Sequence, residues 1–164
     1  MYETDKKEFY MKIMDFLCEK AIAPNLQATD KKGVIEELVD LLIEAKKIDS
    51  KDRGRLIKSL MDRESLGSTG IGQGIGIPHG KLEGVRELVA AFGLSQRGVH
   101  FESLDGELVH LFFLLVAPED STGPHLKALA RISRLLKDKF FRNTLRKAKS
   151  IEEILAIIRK EDQS

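Results

Sequence analysis

The sequence predicts an α/β fold with three layers, in which helices cover both faces of a small mixed central sheet. A continuous apolar run from Val109 to Ala117, closed by Pro118, is typical of a central strand covered on both faces. Apolar residues recur at helical spacing both before and after this run. Together these patterns predict the element order β-α-α-β-β-β-α-α-α.

The first quarter of the chain is predicted to hold a short helix, a strand and a long helix. Residues 9–20 favour a short helix that buries Cys18, and residues 22–26 favour an edge strand or an extended link. Thr29 or Asp30 is suited to cap the long helix that follows. The apolar stripe of that helix consists of Val34, Ile35, Leu38, Val39, Leu41, Leu42 and Ala45.

A second helix is predicted to begin after Asp49 or Ser50 and to end near Gly67. Residues 88–95 favour a strand, and residues 104–107, Leu-Asp-Gly-Glu, favour a turn ahead of the central strand. The last third of the chain is predicted to be helical. We expect a first helix with Pro124 at its start and a short amphipathic helix at 139–145. The capping box of Ser150 and Glu153 then begins a last helix with an apolar stripe.

The segment from Gly70 to Gly80 alternates glycine with mostly apolar residues and ends in Pro-His-Gly. As a single strand over residues 70–77, it would place four glycines on one face, which suits close approach by another backbone or by a partner. We expect Pro78 to end this strand and to present His79 beside a bare surface. The spacing fits neither a phosphate-binding P-loop nor a dinucleotide-binding fingerprint.

His125 is the second candidate site residue. It shares one helical stripe with Leu129, Ile132 and Leu136, so we expect it to point inward from the start of a helix. The free N–H groups and the positive dipole end at this position attract anions. The same field favours a neutral imidazole.

The composition excludes several classes of function. A net charge of +1 gives no indication of a nucleic-acid or membrane-surface partner, and the single cysteine excludes an internal disulfide. No apolar run approaches the roughly 20 residues of a membrane span. A signal-peptide pattern is absent, so we expect a cytoplasmic protein. We expect one domain over residues 11–162, after a disordered extension over residues 1–10.

The histidines do not form a metal-ligand pattern. No two lie closer than ten residues apart and none pairs with Cys18, so we expect no metal site. His100 and His110 are interpreted as structural residues. A Ser-His-Asp hydrolase would need a Gly-x-Ser-x-Gly motif, and Ser68 stands in Gly-Ser-Thr-Gly instead.

The segment from Arg63 to Gly80 resembles the active-site signature of a known family. This family comprises the enzyme IIA domains of the fructose and mannitol type (type 2) of the bacterial phosphoenolpyruvate-dependent phosphotransferase system. The resemblance extends over residues 11–160 and includes residues 104–107 and 124–130. This sequence differs from the family at Gly76, where the family usually has alanine.

The resemblance implies a phosphoryl carrier that needs no cofactor. The phosphocarrier protein HPr would donate a phosphoryl group to His79, and a cysteine of a IIB domain would accept it in turn. His125 would hydrogen-bond the phosphoryl group, and Arg63 would neutralise its charge. Ser68 and Thr69 would supply hydroxyl or backbone donors. The bare glycine face would give partners a flat apolar surface for docking.

Three functions remain open at this point. The first is a nitrogen-type regulatory IIA protein, whose phosphorylation state controls other proteins. The second is a sugar-specific IIA that relays the phosphoryl group to a IIB cysteine, and the third is a binding module without phosphotransfer. The Gly-Ser-Thr-Gly-Ile-Gly motif favours the regulatory protein. We also expect the chain to lack IIB and transporter segments, which points the same way. The presence of His79, His125 and Arg63 argues against the binding module.

Overall fold

The computed structural model describes residues 11–163 and shows six strands between two layers of helices. Residues 1–10, for which we expected disorder, lie outside the described residues. The strands are β1 (Leu17–Ala23), β2 (Gly70–Gly72), β3 (Ile75–Gly76), β4 (His79–Leu82), β5 (Val89–Val99) and β6 (Val109–Pro118). The helices are α1 (Lys31–Glu44), α2 (Arg53–Ser65), α3 (Thr122–Leu136), α4 (Lys139–Lys147) and α5 (Ile151–Asp162), with 3₁₀ turns at Ile13–Asp15 and Ser50–Asp52.

Strand β6 is the central strand predicted from the apolar run. It pairs antiparallel with β5 on one side and parallel with β3 and β4 on the other. Its residues from Leu111 to Ala117 are fully buried. One face of the sheet packs against α3, α4 and α5, and the other packs against α1 and α2. The predicted mixed sheet and the predicted three layers are confirmed.

The first strand replaces the helix predicted over residues 9–20. Within the described part of this segment, the only helical residues are the 3₁₀ turn at Ile13–Asp15. The chain then forms edge strand β1, which runs parallel to β5 and buries Cys18. A short isolated helix is marginal, and pairing with β5 satisfies the backbone through long-range contacts that helical periodicity does not report.

The predicted helix starts are largely confirmed. The side chains of Asp30, Asp49 and Ser150 each accept a backbone N–H from the turn that follows. Asp49 caps the 3₁₀ turn that leads into α2, not α2 itself. Helix α3 begins at Thr122, so Pro124 is its third residue and not its first.

The glycine-rich segment is a hairpin followed by a strand, and the single strand predicted over 70–77 is wrong. Strands β2 and β3 pair antiparallel across the two residues Gln73 and Gly74. These residues have φ values of 57° and 79°, and two positive φ angles are what a tight hairpin turn requires. Because this segment supplies three short strands, the sheet has six strands, two more than predicted.

His79 therefore begins a strand instead of following one. Strand β4 runs parallel to β6, with His79 opposite Leu115. The carbonyl of Pro78 accepts a hydrogen bond from the N–H of Leu115 at 2.9 Å, so the proline continues the pairing. Proline lacks only the N–H donor, and its carbonyl remains available to a neighbouring strand.

The glycines approach the chain itself and leave no bare face for a partner. A Cβ on Gly70 would lie 3.0 Å from Ser103, and one on Gly76 would lie 3.2 Å from the Phe112 ring. Gly70, Gly72 and Gly76 are all buried. The expected docking face of glycines is therefore wrong. At Gly76, the family's usual alanine would require the Phe112 ring to move by a few tenths of an ångström.

Candidate functional site

The fold brings His79 and His125 into direct contact. Their ring centroids lie 5.4 Å apart and their planes meet at 74°, edge to face. His79 stands at the start of β4, and His125 stands in the first turn of α3, pointing inward as predicted. Two residues 46 positions apart in the sequence thus form one site.

The tautomer of His79 is set by the backbone carbonyl of Ile77, two residues earlier in the chain. Nδ1 of the ring donates to the carbonyl of Ile77 at 2.7 Å, so a neutral ring keeps its lone pair on Nε2. Burial lowers the pKa of His79 below its ordinary value of 6.5, and the charge of Arg63 lowers it further. The hydrogen bond to Ile77 and the charge of Glu64 raise this pKa but do not cancel the effect of burial. The ring is therefore neutral at pH 7, and Nε2 is its nucleophilic nitrogen.

His125 carries a buried nitrogen that is not satisfied within the protein. Its Nε2 has no hydrogen-bond partner among residues 11–163. Burial lowers the pKa of His125 to about 4, with smaller contributions from His79 and from the charge of Lys81. The expected neutral imidazole is present, although burial is the main cause. A buried polar atom without a partner is costly, and such atoms occur where a ligand binds.

Two cations flank the histidine pair. Arg63 lies in the last turn of α2, where Nη1 donates to the carbonyl of Gly67 at 2.8 Å. Lys81 follows His79 by two residues on β4, so both side chains lie on the same face of the strand. Its Nζ donates to the hydroxyl of Thr122 at 3.0 Å, at the start of α3. Lys81 is not among the site residues predicted from the sequence, because its place beside His79 depends on strand β4, which was not predicted.

Ser68 and Thr69 lie in the loop between α2 and β2. The hydroxyl of Ser68 donates to the carbonyl of Phe101 at 2.7 Å. The hydroxyl of Thr69 donates to the carboxylate of Glu64, and the carbonyl of Thr69 accepts from the N–H of Ile77 at 3.0 Å. Both hydroxyl protons are used within the chain, and binding of a phosphoryl group by these two residues stays a prediction.

The remaining histidines lie elsewhere. His110 is on β6, and its Nδ1 donates to the carbonyl of Ser95 at 2.9 Å, in agreement with a structural role. Among residues 11–163, no group of three or more His, Cys, Asp or Glu side chains is placed to hold a metal ion. None of the helices that the structure describes is long and apolar enough to cross a membrane.

Comparison with known proteins identifies the family. The family described as "Phosphoenolpyruvate-dependent sugar phosphotransferase system, EIIA 2" matches residues 15–161. The chain belongs to this family. As an EIIA 2 protein, it is 38% identical over 148 residues to a "Nitrogen regulatory protein" of Bradyrhizobium diazoefficiens, covering 90% of this chain and 95% of the relative.

A second relative of this EIIA 2 protein has a sugar-specific name. The chain is 41% identical over 153 residues to the "PTS system fructose-specific EIIABC component" of Bacillus subtilis. The match covers 93% of this chain and 24% of that relative, so the chain spans about a quarter of the longer protein.

Solved structures share the fold. The nitrogen regulatory protein IIA-Ntr of Neisseria meningitidis superposes with a TM-score of 0.80 at 36% identity, covering 89% of this chain and 98% of that one. The mannitol enzyme IIA of Escherichia coli, solved in complex with phosphorylated enzyme IIB, superposes with a TM-score of 0.71 at 20% identity. The match covers 86% of this chain and 95% of that one. The predicted fold class and family resemblance are confirmed, and a phosphoryl-carrier role fits the family.

Proposed function

We propose that the chain carries a phosphoryl group on Nε2 of His79, received from phosphorylated HPr. The observation that carries this proposal is the pairing of a neutral His79, whose Nδ1 proton is bound to Ile77, with the buried and unpartnered Nε2 of His125. The first ring supplies a free lone pair, and the second supplies a polar group that needs a ligand. This arrangement suits a phosphoryl group bonded to one ring and hydrogen-bonded by the other.

The transfer is a displacement at phosphorus. The lone pair of His79 Nε2 forms the new N–P bond while the N–P bond of the HPr phosphohistidine, protonated on its other ring nitrogen, breaks. The electron pair of the broken bond returns to HPr, which leaves with a neutral imidazole, and the positive charge passes to the phosphorylated His79 ring. The Nδ1 proton of His79 stays on the ring and bonded to Ile77, so no base has to remove it. Such a transfer depends mainly on positioning and on stabilising the charge of the phosphoryl oxygens.

The surroundings of His79 supply that charge stabilisation. Arg63 and Lys81 bring two positive charges to the histidine pair, Arg63 acting on His79 and Lys81 on His125. The first turn of α3, which holds His125, adds free N–H groups and the positive end of a helix dipole. A dianionic phosphoryl group placed between these groups is favoured over one in water.

We further propose that the carrier acts in the cytoplasm as a nitrogen-type regulatory IIA, whose two phosphorylation states bind different proteins. The nitrogen regulatory relatives support this, since they align over 95% and 98% of their own lengths. The fructose-specific relative supports the alternative, in which the group passes to a IIB cysteine. Mixing the phosphorylated chain with a fructose-type IIB domain discriminates between them. Rapid loss of the group to IIB favours the sugar relay, and a stable adduct favours regulation.

The carrier proposal is tested by intact mass after incubation with phosphoenolpyruvate, enzyme I and HPr. We expect one acid-labile phosphoryl adduct on the wild type and none on His79→Ala. A matched His100→Ala variant, at an exposed histidine outside the site, should gain the adduct normally. A wild type that gains no adduct under conditions where HPr is phosphorylated would overturn the proposal.

A further inference from the structure

Glu64 is a buried carboxylate next to Arg63 in the sequence and belongs to no predicted site. Its side chain is 2% exposed and accepts hydrogen bonds from the backbone N–H of Thr69, at 3.1 Å, and from the Thr69 hydroxyl. Lys31, on α1, forms an ion pair with the same carboxylate at 3.1 Å. The carboxylate thus joins α1, the end of α2 and the loop that carries Ser68 and Thr69.

This network continues to the reactive ring. The carbonyl of Thr69 accepts from the N–H of Ile77, and the carbonyl of Ile77 accepts from Nδ1 of His79, at 3.0 and 2.7 Å. Each link in the series from Glu64 to His79 is therefore a direct hydrogen bond or a single residue of backbone. A displacement of Thr69 would move the carbonyl that holds the proton on Nδ1.

Lys31 and Ser68 fix the opposite side of the same loop. Nζ of Lys31 lies 4.7 Å from the centroid of the Phe101 ring, and the carbonyl of Phe101 accepts from the Ser68 hydroxyl at 2.7 Å. The loop is therefore held from two sides, through Glu64 and through Phe101. A buried ion pair contributes little net stability, because desolvation of both charges offsets their attraction. Its recognised use is to fix one geometry, and here the geometry is that of the loop beside His79.

We propose that Glu64 is a positioning residue for phosphoryl transfer at His79. Its carboxylate fixes Thr69, and through Thr69 it holds the Ile77 carbonyl against Nδ1 so that Nε2 remains the reactive nitrogen. The inference rests on the proposed function, since it concerns the rate at which His79 accepts a phosphoryl group. Glu64 itself touches neither His79 nor the incoming group, in contrast to the role proposed for His125.

The charge of Glu64 also affects the pKa of His79. The charged and titratable groups that act on His79 and its partner are Arg63 and Glu64 from α2, Lys81 from β4, and His125 from α3. Glu64 is the single anion of this set, and its charge raises the pKa of His79 against the effect of Arg63. Removing the charge should therefore lower the pH at which His79 takes up a proton.

The test compares Glu64→Gln with Glu102→Gln. Glu102 also pairs with Lys31, at 3.8 Å, but its side chain is 85% exposed, and the N–H and hydroxyl of Thr69 donate to Glu64 instead. The two variants therefore lose the same charge beside the same lysine. Rapid-quench measurements of transfer from phosphorylated HPr give kcat and KM for each variant, and unfolding curves show that each is folded. NMR titration reports the protonation of His79 in the same samples.

We expect Glu64→Gln to lower kcat about 10- to 100-fold with little change in KM, because misplacement of a reacting group by about 1 Å has effects of up to this size. The titration midpoint of His79 should fall in this variant. Glu102→Gln should keep the wild-type kcat and midpoint. A folded Glu64→Gln protein with wild-type kcat, or with a change in KM alone, would overturn the proposal.

If Glu64→Gln does not fold, Thr69→Val removes the hydroxyl that bonds to Glu64, and Thr144→Val removes an exposed hydroxyl on α4 outside the network. The proposal requires the first variant to be slow and the second to keep the wild-type rate. If the wild type itself accepts no phosphoryl group, the proposed function fails. The ¹⁵N chemical shifts of the His79 ring then decide the positioning claim alone, since it requires the Nδ1–H tautomer to lose population in Glu64→Gln and to stay dominant in Glu102→Gln.

Discussion

The hydrogen bond from Nδ1 of His79 to the Ile77 carbonyl determines which ring nitrogen is available for reaction. The bond is 2.7 Å long and joins residues two apart in the chain, so the turn through Pro78 builds it locally. Burial lowers the pKa of His79 and also that of His125, to about 4. Both rings are therefore neutral at pH 7, one as a nucleophile and the other as a hydrogen-bonding partner.

Replacing His125 should slow phosphoryl transfer without preventing it. His125→Ala keeps the nucleophile but removes a group aimed at the phosphoryl oxygens, and loss of one such donor lowers rates by about 10²- to 10³-fold. Rapid-quench measurement of transfer from HPr checks this. The matched His100→Ala variant should keep the wild-type rate. A His125→Ala protein as fast as the wild type would exclude this role.

The lowered histidine pKa values predict a dependence of stability on pH. Between about pH 4 and pH 6.5, His125 is protonated in the unfolded chain but not in the folded protein. The free energy of unfolding is therefore at its full value above pH 6.5 and decreases as the pH falls toward 4. Urea unfolding at a series of pH values measures the slope. The slope should be smaller in His125→Ala, and an unchanged slope in that variant would contradict the assignment.

At the scale of elements, the site is built by the segment from the end of α2 to β4. The β2–β3 hairpin is held at its tip by Asp105, whose carboxylate accepts from the N–H groups of Gln73 and Glu107 at 2.9 and 3.0 Å. These two bonds lower the pKa of Asp105. The turn predicted at residues 104–107 therefore supports the hairpin that leads into His79.

The hairpin turn predicts a specific cost of substitution. Gly74 has a φ of 79°, and a Cβ there would lie no closer than 3.8 Å to any neighbour, so Gly74→Ala introduces strain without a clash. We expect a loss of about 1–2 kcal/mol in the free energy of unfolding, measured in urea. Gly54→Ala, in the first turn of α2 with open space around it, should instead gain about 0.5–1 kcal/mol. Equal effects of the two substitutions would refute the assigned turn.

The elements show which features the sequence could predict. The long helices were predictable because their apolar stripes and caps lie within one segment, and β6 because a buried strand is apolar throughout. Strand β1 depends on pairing with β5, which no local pattern reports. The hairpin was missed because its turn begins with Gln73, where asparagine, aspartate or glycine would have indicated it. Glu64 and Lys81 owe their place at the site to tertiary contacts, whereas His79 and His125 stood in recognisable motifs.

At the scale of the molecule, Asp162 connects the two ends of the described chain. Its buried carboxylate accepts from the N–H groups of Ile13 and Met14, at 2.9 and 2.8 Å, and pairs with Arg131 at 3.1 Å. Helix α5 is thereby joined to the 3₁₀ turn before β1 and to α3, the helix that carries His125. The contact fixes the helical layer behind the site.

Removing this contact should strongly destabilise the protein. Asp162→Ala removes the carboxylate that pairs with Arg131, whose guanidinium keeps only the backbone carbonyl of residue 162, and it takes the acceptor from the N–H groups of Ile13 and Met14. Breaking such a buried pair costs about 3–5 kcal/mol. Arg159→Ala breaks the exposed pair between Arg159 and Glu19, which also joins α5 to β1, and should cost less than about 1 kcal/mol. Urea unfolding of both variants checks the contrast. Similar losses in the two would show that burial does not set the strength of this connection.

The central claim is that Nε2 of His79 carries the phosphoryl group, and NMR of the phosphorylated protein with ¹⁵N-labelled histidine tests it most directly. A one-bond coupling between ³¹P and ¹⁵N identifies the bonded nitrogen, and the Nδ1 hydrogen bond to Ile77 identifies the other nitrogen of the ring. We predict that the coupling appears at Nε2 of His79, with the Nδ1 proton still in place. A coupling at Nδ1, or at any other histidine, would contradict the account.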